Sequence, residues 1–398
     1  MNFLKSLLPT TRRMSNSRSH ISKLSEEPYQ KYSSGGYHPT RLGDVFDEKY
    51  QVVRKLGYGQ YSTVWLAQDI KTNGVVALKI LQADFSVDGM RNYELEMLRF
   101  MKSDGSTHPG KRHILSLCDD FQHHGPHGDH ICLVHEATGP DLAKYQRRLP
   151  EAQIPVPTVR QIAKQLLLAL DYLHRSCSII HTDIKPGNIL IEMDENEPIA
   201  LRALPSDVSK SSEFYMASEP LPMNSDVSTI NVFLADFGTA SWVDRHLTEF
   251  IQPRCLRAPE VILEAKWDAS TDIWNAGCVI YELLTGKYLF DGCPSAAGSY
   301  APEHHLSQMV ALFGRFPIDL LNRGQASEKY FDSEGNLKGI PAMSGFSLGG
   351  FIENGSFHSI QEKEDFIQFL QSILVLAPEE RKPAHLLLEE SWLNKEYR

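Results

Sequence analysis

The sequence is poor in the features that mark several protein classes. Six cysteines among 398 residues (Cys118, Cys132, Cys177, Cys255, Cys278 and Cys293) include no C-x-x-C pair, so neither a disulfide-stapled scaffold nor a zinc ribbon is indicated, and a reducing compartment fits best. No apolar run approaches the roughly 20 residues that cross a bilayer, and the start has no secretory apolar core. A soluble protein with no membrane association is expected. Acids are missing altogether from the first 25 residues, which carry Lys5, Arg12, Arg13, Arg18 and Lys23, whereas the whole chain has a net charge of −10. The acidic excess therefore lies in the remainder, which disfavours direct contact with nucleic acid and favours encounter with basic peptides. The Ser- and Arg-rich start, with apolar Phe3, Leu4, Leu7 and Leu8, has the composition of a disordered basic leader, one that mitochondrial transit peptides share. Cytoplasmic or nuclear residence is the expectation, with mitochondrial targeting as the alternative.

What is present suffices for one large two-lobed domain or two ordinary ones, with 42% hydrophobic residues. Residues 1–48 are polar and turn-rich, ending in Ser33-Ser34-Gly35-Gly36-Tyr37-His38-Pro39, and order is expected to begin near Tyr50. Gln51–Leu56, Ser62–Gln68 and Val75–Leu81 are enriched in β-branched and aromatic residues with glycines or Asn73-Gly74 between them, which predicts an antiparallel meander. A helix is predicted from about Gly89 to Met101. The apolar run Ile131–Val134 reads as a buried strand leading into Thr138-Gly139-Pro140, a natural hinge. Beyond it, Ile162, Leu166, Leu170 and Leu173 recur at helical spacing, and Asp272–Thr285 is apolar around most of its circumference and stops at Gly286. The polar stretch from Glu192 to Thr229 has no sustained periodicity and reads as an insert splitting a short hairpin. The cluster His123, His124, His127 and His130 lies among Gly125, Pro126 and Gly128 and reads as a solvated hairpin loop, the zinc alternative lacking cysteine partners.

Four elements then fall in order. In Leu56-Gly57-Tyr58-Gly59-Gln60-Tyr61-Ser62-Thr63-Val64, glycines let backbone N–H groups approach a triphosphate, with Ser62 where a third glycine would stand. Taken alone this pattern reads more readily as a turn in an ordinary hairpin. The strand Val76-Ala77-Leu78-Lys79 follows, and an inward-facing Lys79 needs an anionic partner, a part that phosphate oxygens can play. A second partner should come from the next helix, where Glu94 shares a face with Leu98 and is preferred to Glu96. In His181-Thr182-Asp183-Ile184-Lys185-Pro186-Gly187-Asn188, Asp183 can orient a substrate hydroxyl and accept its proton, and Lys185 can neutralise a transferring phosphoryl group. Asn188, with Asp236 of Asp236-Phe237-Gly238, offers the sparse oxygen ligation that Mg2+ takes beside phosphates and water. Together these parts point to phosphoryl transfer from Mg-ATP.

From about Tyr37 to Leu393 the chain resembles a eukaryotic protein kinase, and it is most similar to the SR-protein kinases of the CMGC group. The runs that carry this likeness are Tyr37-His38-Pro39 through Gly43-Asp44, Arg54-Lys55-Leu56-Gly57-Tyr58-Gly59, Ser62-Thr63-Val64-Trp65-Leu66 and Ile180-His181-Thr182-Asp183-Ile184-Lys185-Pro186. Thr182 stands where most kinases carry arginine. The resemblance implies an α+β, bilobal protein-kinase-like fold: a small antiparallel β-sheet lobe with one helix over residues 49–138, and a larger, mainly helical lobe over 139–393 containing the insert 193–229, followed by a tail at 394–398. It implies a monomeric serine/threonine kinase acting on proteins, with arginine- and serine-rich splicing-type proteins as the substrate class, the alternative being a catalytically weak kinase-fold scaffold or binding protein. By the same likeness His135 gates the adenine pocket, Glu136 and Thr138 offer backbone groups to adenine, Ala77 lines the pocket, Asp272 braces the catalytic loop, and Glu260 pairs with Arg381. Without an arginine at 182 no activation-segment phosphate has a partner there, so activity is expected without phosphorylation of that segment. The sequence departs from the family at Gly187, Phe237 and Ala258-Pro259-Glu260, and the stretch Tyr300–Leu306 keeps only Glu303 of an acidic docking patch.

Overall fold

The computed structural model describes residues 26–85, 93–193, 213–218, 221, 230–294, 298–340, 346–352 and 357–397. Its smaller lobe is a six-stranded antiparallel sheet in the order β1-β2-β3-β4-β6-β5, formed by β1 (Val45–Phe46), β2 (Tyr50–Tyr58), β3 (Ser62–Asp69), β4 (Val75–Leu81), β5 (Leu117–Gly125) and β6 (Gly128–Glu136). Alternation decides its two faces. Val52, Trp65, Ala67, Leu78, Ile80, Cys132 and Val134 point one way and, with Phe46 and Tyr50, make the core of this lobe. Helix α1 (Tyr93–Ser103) lies against the sheet through buried Met97, Leu98 and Met101. The residues of the expected helix before Tyr93 lie outside the described residues.

The larger lobe is built on α2 (Val156–Asp171) and α3 (Ser270–Thr285), with α4 (Pro302–Phe313) and α5 (Ile360–Ile373) around them. Helix α3 is apolar around nearly its whole circumference, as a helix at the centre of a lobe must be. It ends at Gly286 in the left-handed region, where a Cβ would stand 2.2 Å from the carbonyl oxygen of Glu151, so glycine is required there. Helix α2 runs into a single π-type segment, Tyr172–Cys177, before the chain turns into β7 (Ile179–Ile180). The short hairpin of β8 (Ile189–Ile191) and β9 (Val232–Leu234) is split by the insert, as expected, and β10 (Ser241–Trp242) pairs with β7.

Two sequence expectations need correction, and a third gains a structural role. Residues 26–48 are not a disordered leader: Tyr37, Thr40 and Phe46 are buried, and β1 extends the sheet. The reason is long-range, since Tyr37 donates its hydroxyl to the carbonyl of Gly59 at 2.8 Å, and Glu27 meets Lys55 at 2.6 Å with both side chains fully buried. Residues 1–25 lie outside the described residues. The insert, described at 213–218 and 221 only, is more than an interruption. Phe214 stacks on Tyr29, Tyr215 meets Tyr29 and Tyr32 edge-on, Met216 gives its carbonyl to Lys55 at 2.9 Å, and Ser218 binds Glu26. The histidine cluster is a solvated hairpin loop only in part: His124 is exposed and His127 lies in the turn, but the rest pack in the sheet. His123 and His124 belong to β5 and His130 to β6, and His130 is fully buried, its Nδ1 donating to the Leu81 carbonyl at 2.8 Å. Burial, reinforced by His123 and His130, pushes the His38 pKa down to about 3. Among the described residues no group of three or more His, Cys, Asp or Glu side chains is arranged to hold a metal.

Candidate active site

The two lobes meet around a cavity of about 280 Å³. Its roof comes from the β2–β3 hairpin and β4 (Leu56, Gly57, Tyr58, Gly59, Ser62, Val64, Ala77, Lys79), its rear edge from His135, Glu136 and Thr138, and its floor from Asn188, Leu190, Ala235 and Asp236. Of the predicted nucleotide-contacting residues, three are placed elsewhere. Thr63 alternates to the far face of β3, is fully buried and accepts a hydrogen bond from Trp65 Nε1 at 2.9 Å. Gln60 and Tyr61 form the exposed hairpin tip, where the Gln60 amide donates to the Tyr61 hydroxyl at 2.7 Å. The tip is fastened from outside: the Gln60 carbonyl accepts from Tyr37, Lys31 and Gln82.

The charged residues converge as the spacing predicted. Lys79, opposite Val64 on β3 and Leu133 on β6, extends its amine between Glu94 at 2.6 Å and Asp236 at 2.8 Å. Burial opposes a charged Lys79, but Asp236 and Glu94 outweigh it and raise its pKa. The ammonium in turn holds Asp236 down to about 2. Burial pushes the Glu94 carboxyl up, and the Lys79 ammonium opposes that. Glu96 points elsewhere and pairs with Arg245 at 2.7 Å, so the helical-face argument chose the correct glutamate.

The Asp183 carboxylate is fixed from two sides. Lys185 Nζ lies 2.6 Å from its Oδ2, and Asn188 Nδ2 donates to the same oxygen at 2.8 Å and to the Asp183 carbonyl at 2.9 Å. This leaves the amide oxygen of Asn188 for a cation. Beneath, the carboxylate of fully buried Asp272 accepts the N–H groups of His181 and Thr182 at 2.7 and 2.9 Å and meets His174 at 2.9 Å. That bracing holds Thr182 at φ +66, while Asp236 sits at φ +68. Such left-handed backbone in non-glycine residues persists only where surrounding bonds over-determine it. Buried Phe237 packs edge-on against His181, whose Nε2 donates to the Ala235 carbonyl at 3.1 Å, and so links the two motifs.

His135 lines the rear of the cavity. Its Nδ1 donates to the carbonyl of Ser116 at 3.0 Å, and burial takes its pKa down to about 4, so the ring is neutral and turns its acceptor nitrogen away from that carbonyl. Sequence reasoning missed Leu221, from the insert, which lines the cavity and is buried against Leu66, Val53 and Leu56. No local signal marks it. Asp141 and Lys144, paired at 2.9 Å at the cavity mouth, were also missed; Asp141 is readable as the N-cap that accepts from the Lys144 N–H.

Two lobes clamping a cleft, with a lysine-carboxylate pair above and an aspartate-lysine-asparagine loop below, define the class of protein phosphotransferases. The protein kinase domain family matches residues 50–393. The serine/threonine-protein kinase SRPK of Physarum polycephalum is 35% identical over 92% of this chain and 91% of its own length. Protein kinase dsk1 of Schizosaccharomyces pombe is 32% identical over 94% of this chain and 86% of its own, and human SRSF protein kinase 3 is 28% identical over 93% and 90%. The chain belongs to the protein kinase family, as a serine/threonine kinase of the SR-protein-kinase type.

Proposed function

We propose that this kinase uses Mg-ATP to phosphorylate hydroxyls in arginine- and serine-rich protein segments, without requiring a phosphate on its own activation segment. The observation that carries the reading is the closed set of contacts around one cavity: Lys79 between Glu94 and Asp236, and Asp183 between Lys185 and Asn188. The donor set fits the nucleotide and its metal. Apolar Leu56, Val64, Ala77 and Leu190 would sandwich the base, and the backbone from Glu136 to Thr138 would address its edge. Lys79 would bind phosphate oxygens, and Asp236 and Asn188 would carry the cation through oxygen, as Mg2+ prefers. Bound magnesium supplies charge neutralisation on the transferring phosphoryl group. Asp183 orients the incoming hydroxyl and takes its proton, and Lys185 stands beside it to offset the negative charge that develops.

Independence from phosphorylation is supported by the contacts of Thr182. Its hydroxyl donates to the Thr239 carbonyl at 2.7 Å, and its own carbonyl accepts from the Gln252 N–H at 3.1 Å, so neutral bonds tie the catalytic loop to the activation segment. The substrate class is supported by the name of the human relative, an SRSF protein kinase, and by the acidic body of the chain; at the start of α4 only Glu303 contributes a carboxylate. A peptide array of arginine-rich, proline-directed and acidic serine sequences, probed with phosphatase-treated enzyme and with Asp183→Asn as control, tests both parts. Arginine-rich peptides should be labelled best, and by the wild type only. Equal labelling across the three classes would end the substrate assignment, and silence of the phosphatase-treated enzyme alone would end phosphate independence.

A further inference from the structure

Two thiols outside the nucleotide cavity converge on one atom. Cys255 lies late in the activation segment, Asp236–Glu260, and Cys293 lies in the loop after α3; both are partly exposed thiols. Cys293 Sγ is 3.4 Å from the carbonyl oxygen of Asp291, and Cys255 Sγ is 3.7 Å from the same oxygen. Both platforms are firm. The Asp291 carboxylate accepts the Cys293 N–H at 3.0 Å and the Gln308 amide at 2.7 Å, and Gln308 accepts the Gly292 N–H at 3.0 Å. Opposite, the Arg257 guanidinium donates to the carbonyls of Ile251 and Gln252 at 3.1 and 3.0 Å, and Asn275 donates to that of Leu256 at 3.3 Å. Both sulfurs thus lie against one carbonyl oxygen, and closing a disulfide of about 2 Å between them would draw the two segments toward each other. Cys255 also interacts electrostatically with Arg257.

We propose that Cys255 and Cys293 form a reversible disulfide on exposure to hydrogen peroxide, and that this link slows protein phosphorylation while leaving the nucleotide cavity intact. The Cys255 thiolate attacks one peroxide oxygen, the O–O bond breaks, and the other oxygen leaves as hydroxide to become water, giving a sulfenic acid. Cys293 sulfur then attacks that sulfur, the S–O bond breaks, and hydroxide departs with the remaining thiol proton as a second water. Two thiols thus lose two electrons and two protons, and one peroxide becomes two waters. The consequence for activity follows from position. The segment carrying Cys255 begins at Gln252, whose N–H braces Thr182 beside Asp183, so tethering it to the α3–α4 loop displaces the catalytic aspartate from its set geometry. None of the tethered residues lines the nucleotide cavity.

The test uses the whole chain, purified reduced, freed of reductant and titrated with hydrogen peroxide. Peptide mapping after alkylation should recover a Cys255–Cys293 linked peptide lighter by two hydrogens, abolished by dithiothreitol. Phosphorylation of a basic serine peptide should fall about tenfold in step with the link, because small misplacements of catalytic groups cost that much or more, and dithiothreitol should restore it. Binding of a fluorescent ATP analogue should not change. Cys293→Ser should keep its activity through the same exposure. Oxidation of exposed Cys118 with no linked peptide would overturn the proposal, as would equal loss of activity in Cys293→Ser and wild type. The mapping uses the wild-type chain, so its outcome does not depend on how Cys293→Ser folds.

Discussion

Replacement of Arg381 by methionine should destabilise the larger lobe far more than loss of its packing would suggest. Arg381 and Glu260 meet through two hydrogen bonds of 2.6 and 2.7 Å with both side chains fully buried. The guanidinium also donates to the carbonyls of Val375 and Ser270 and lies 5.1 Å from the ring centroid of Trp274. Methionine fills most of the space but leaves Glu260 in the core without a counter-charge, a change that typically costs about 3–5 kcal/mol. At roughly 2 °C or more per kcal/mol in a domain of this size, the melting temperature should drop by about 6–10 °C. The decisive control is the double variant Glu260→Leu/Arg381→Met, which removes both charges and should return to within about 2 kcal/mol of wild type, since an apolar pair of similar volume is often no worse than a buried ion pair. Thermal and urea unfolding of the four proteins complete a double-mutant cycle. A double variant as unstable as Arg381→Met would refute the reasoning, because the damage would then come from lost packing rather than from a stranded carboxylate.

Asp183→Asn should lower kcat by about 10²–10⁴-fold, the range of a lost proton acceptor, with the affinity for an ATP analogue and the melting temperature nearly unchanged; a large loss of nucleotide affinity would contradict the assigned role. Lys55→Met should strand Glu26 and Glu27, which now bind that buried ammonium, costing about 3 kcal/mol or more and exposing residues 26–37 to limited proteolysis, whereas protection equal to wild type would mean that this anchor is dispensable. Stability should decline as pH falls from about 6.5 toward 4, because buried His135, at about 4, and His38 and His305, each at about 3, refuse protons that the unfolded chain accepts near the ordinary 6.5. Each such group contributes a slope approaching about 1.4 kcal/mol per pH unit in that window. His135→Leu should remove one proton's worth, and urea midpoints with an unchanged pH slope would count against the buried neutral ring.

Much of this molecule was readable in advance because its signals are local. Alternation in Val75–Leu81 and the glycines of the β2–β3 turn report their own geometry, since strand faces repeat every two residues and only small residues permit close backbone approach. The choice of Glu94 over Glu96 likewise needed only the pitch of α1. Thr63 shows the limit of such reading. Within one contiguous motif it belongs to the opposite face of β3 from Ser62 and Val64, and its hydroxyl serves Trp65. Residues 26–48 were misread because their composition resembles that of an unstructured leader. Their order depends on partners distant in sequence, among them Gly59, Lys55 and the insert residues Phe214 and Tyr215.

Which side chains could perform phosphoryl transfer was decided by residue type and spacing, because a metal-binding carboxylate, a proton acceptor and a phosphate-binding lysine are chemical properties that do not wait for folding. Whether those side chains could act together was decided by tertiary structure alone. Lys79, Glu94 and Asp236 come within bonding reach of one another only when the two lobes meet, and Asp272, far along the chain, then sets the strained backbone beside Asp183. The same is true of Leu221 in the cavity and of the sulfurs of Cys255 and Cys293. No periodicity joins such positions, and only the packing of the lobes determines the distances between them.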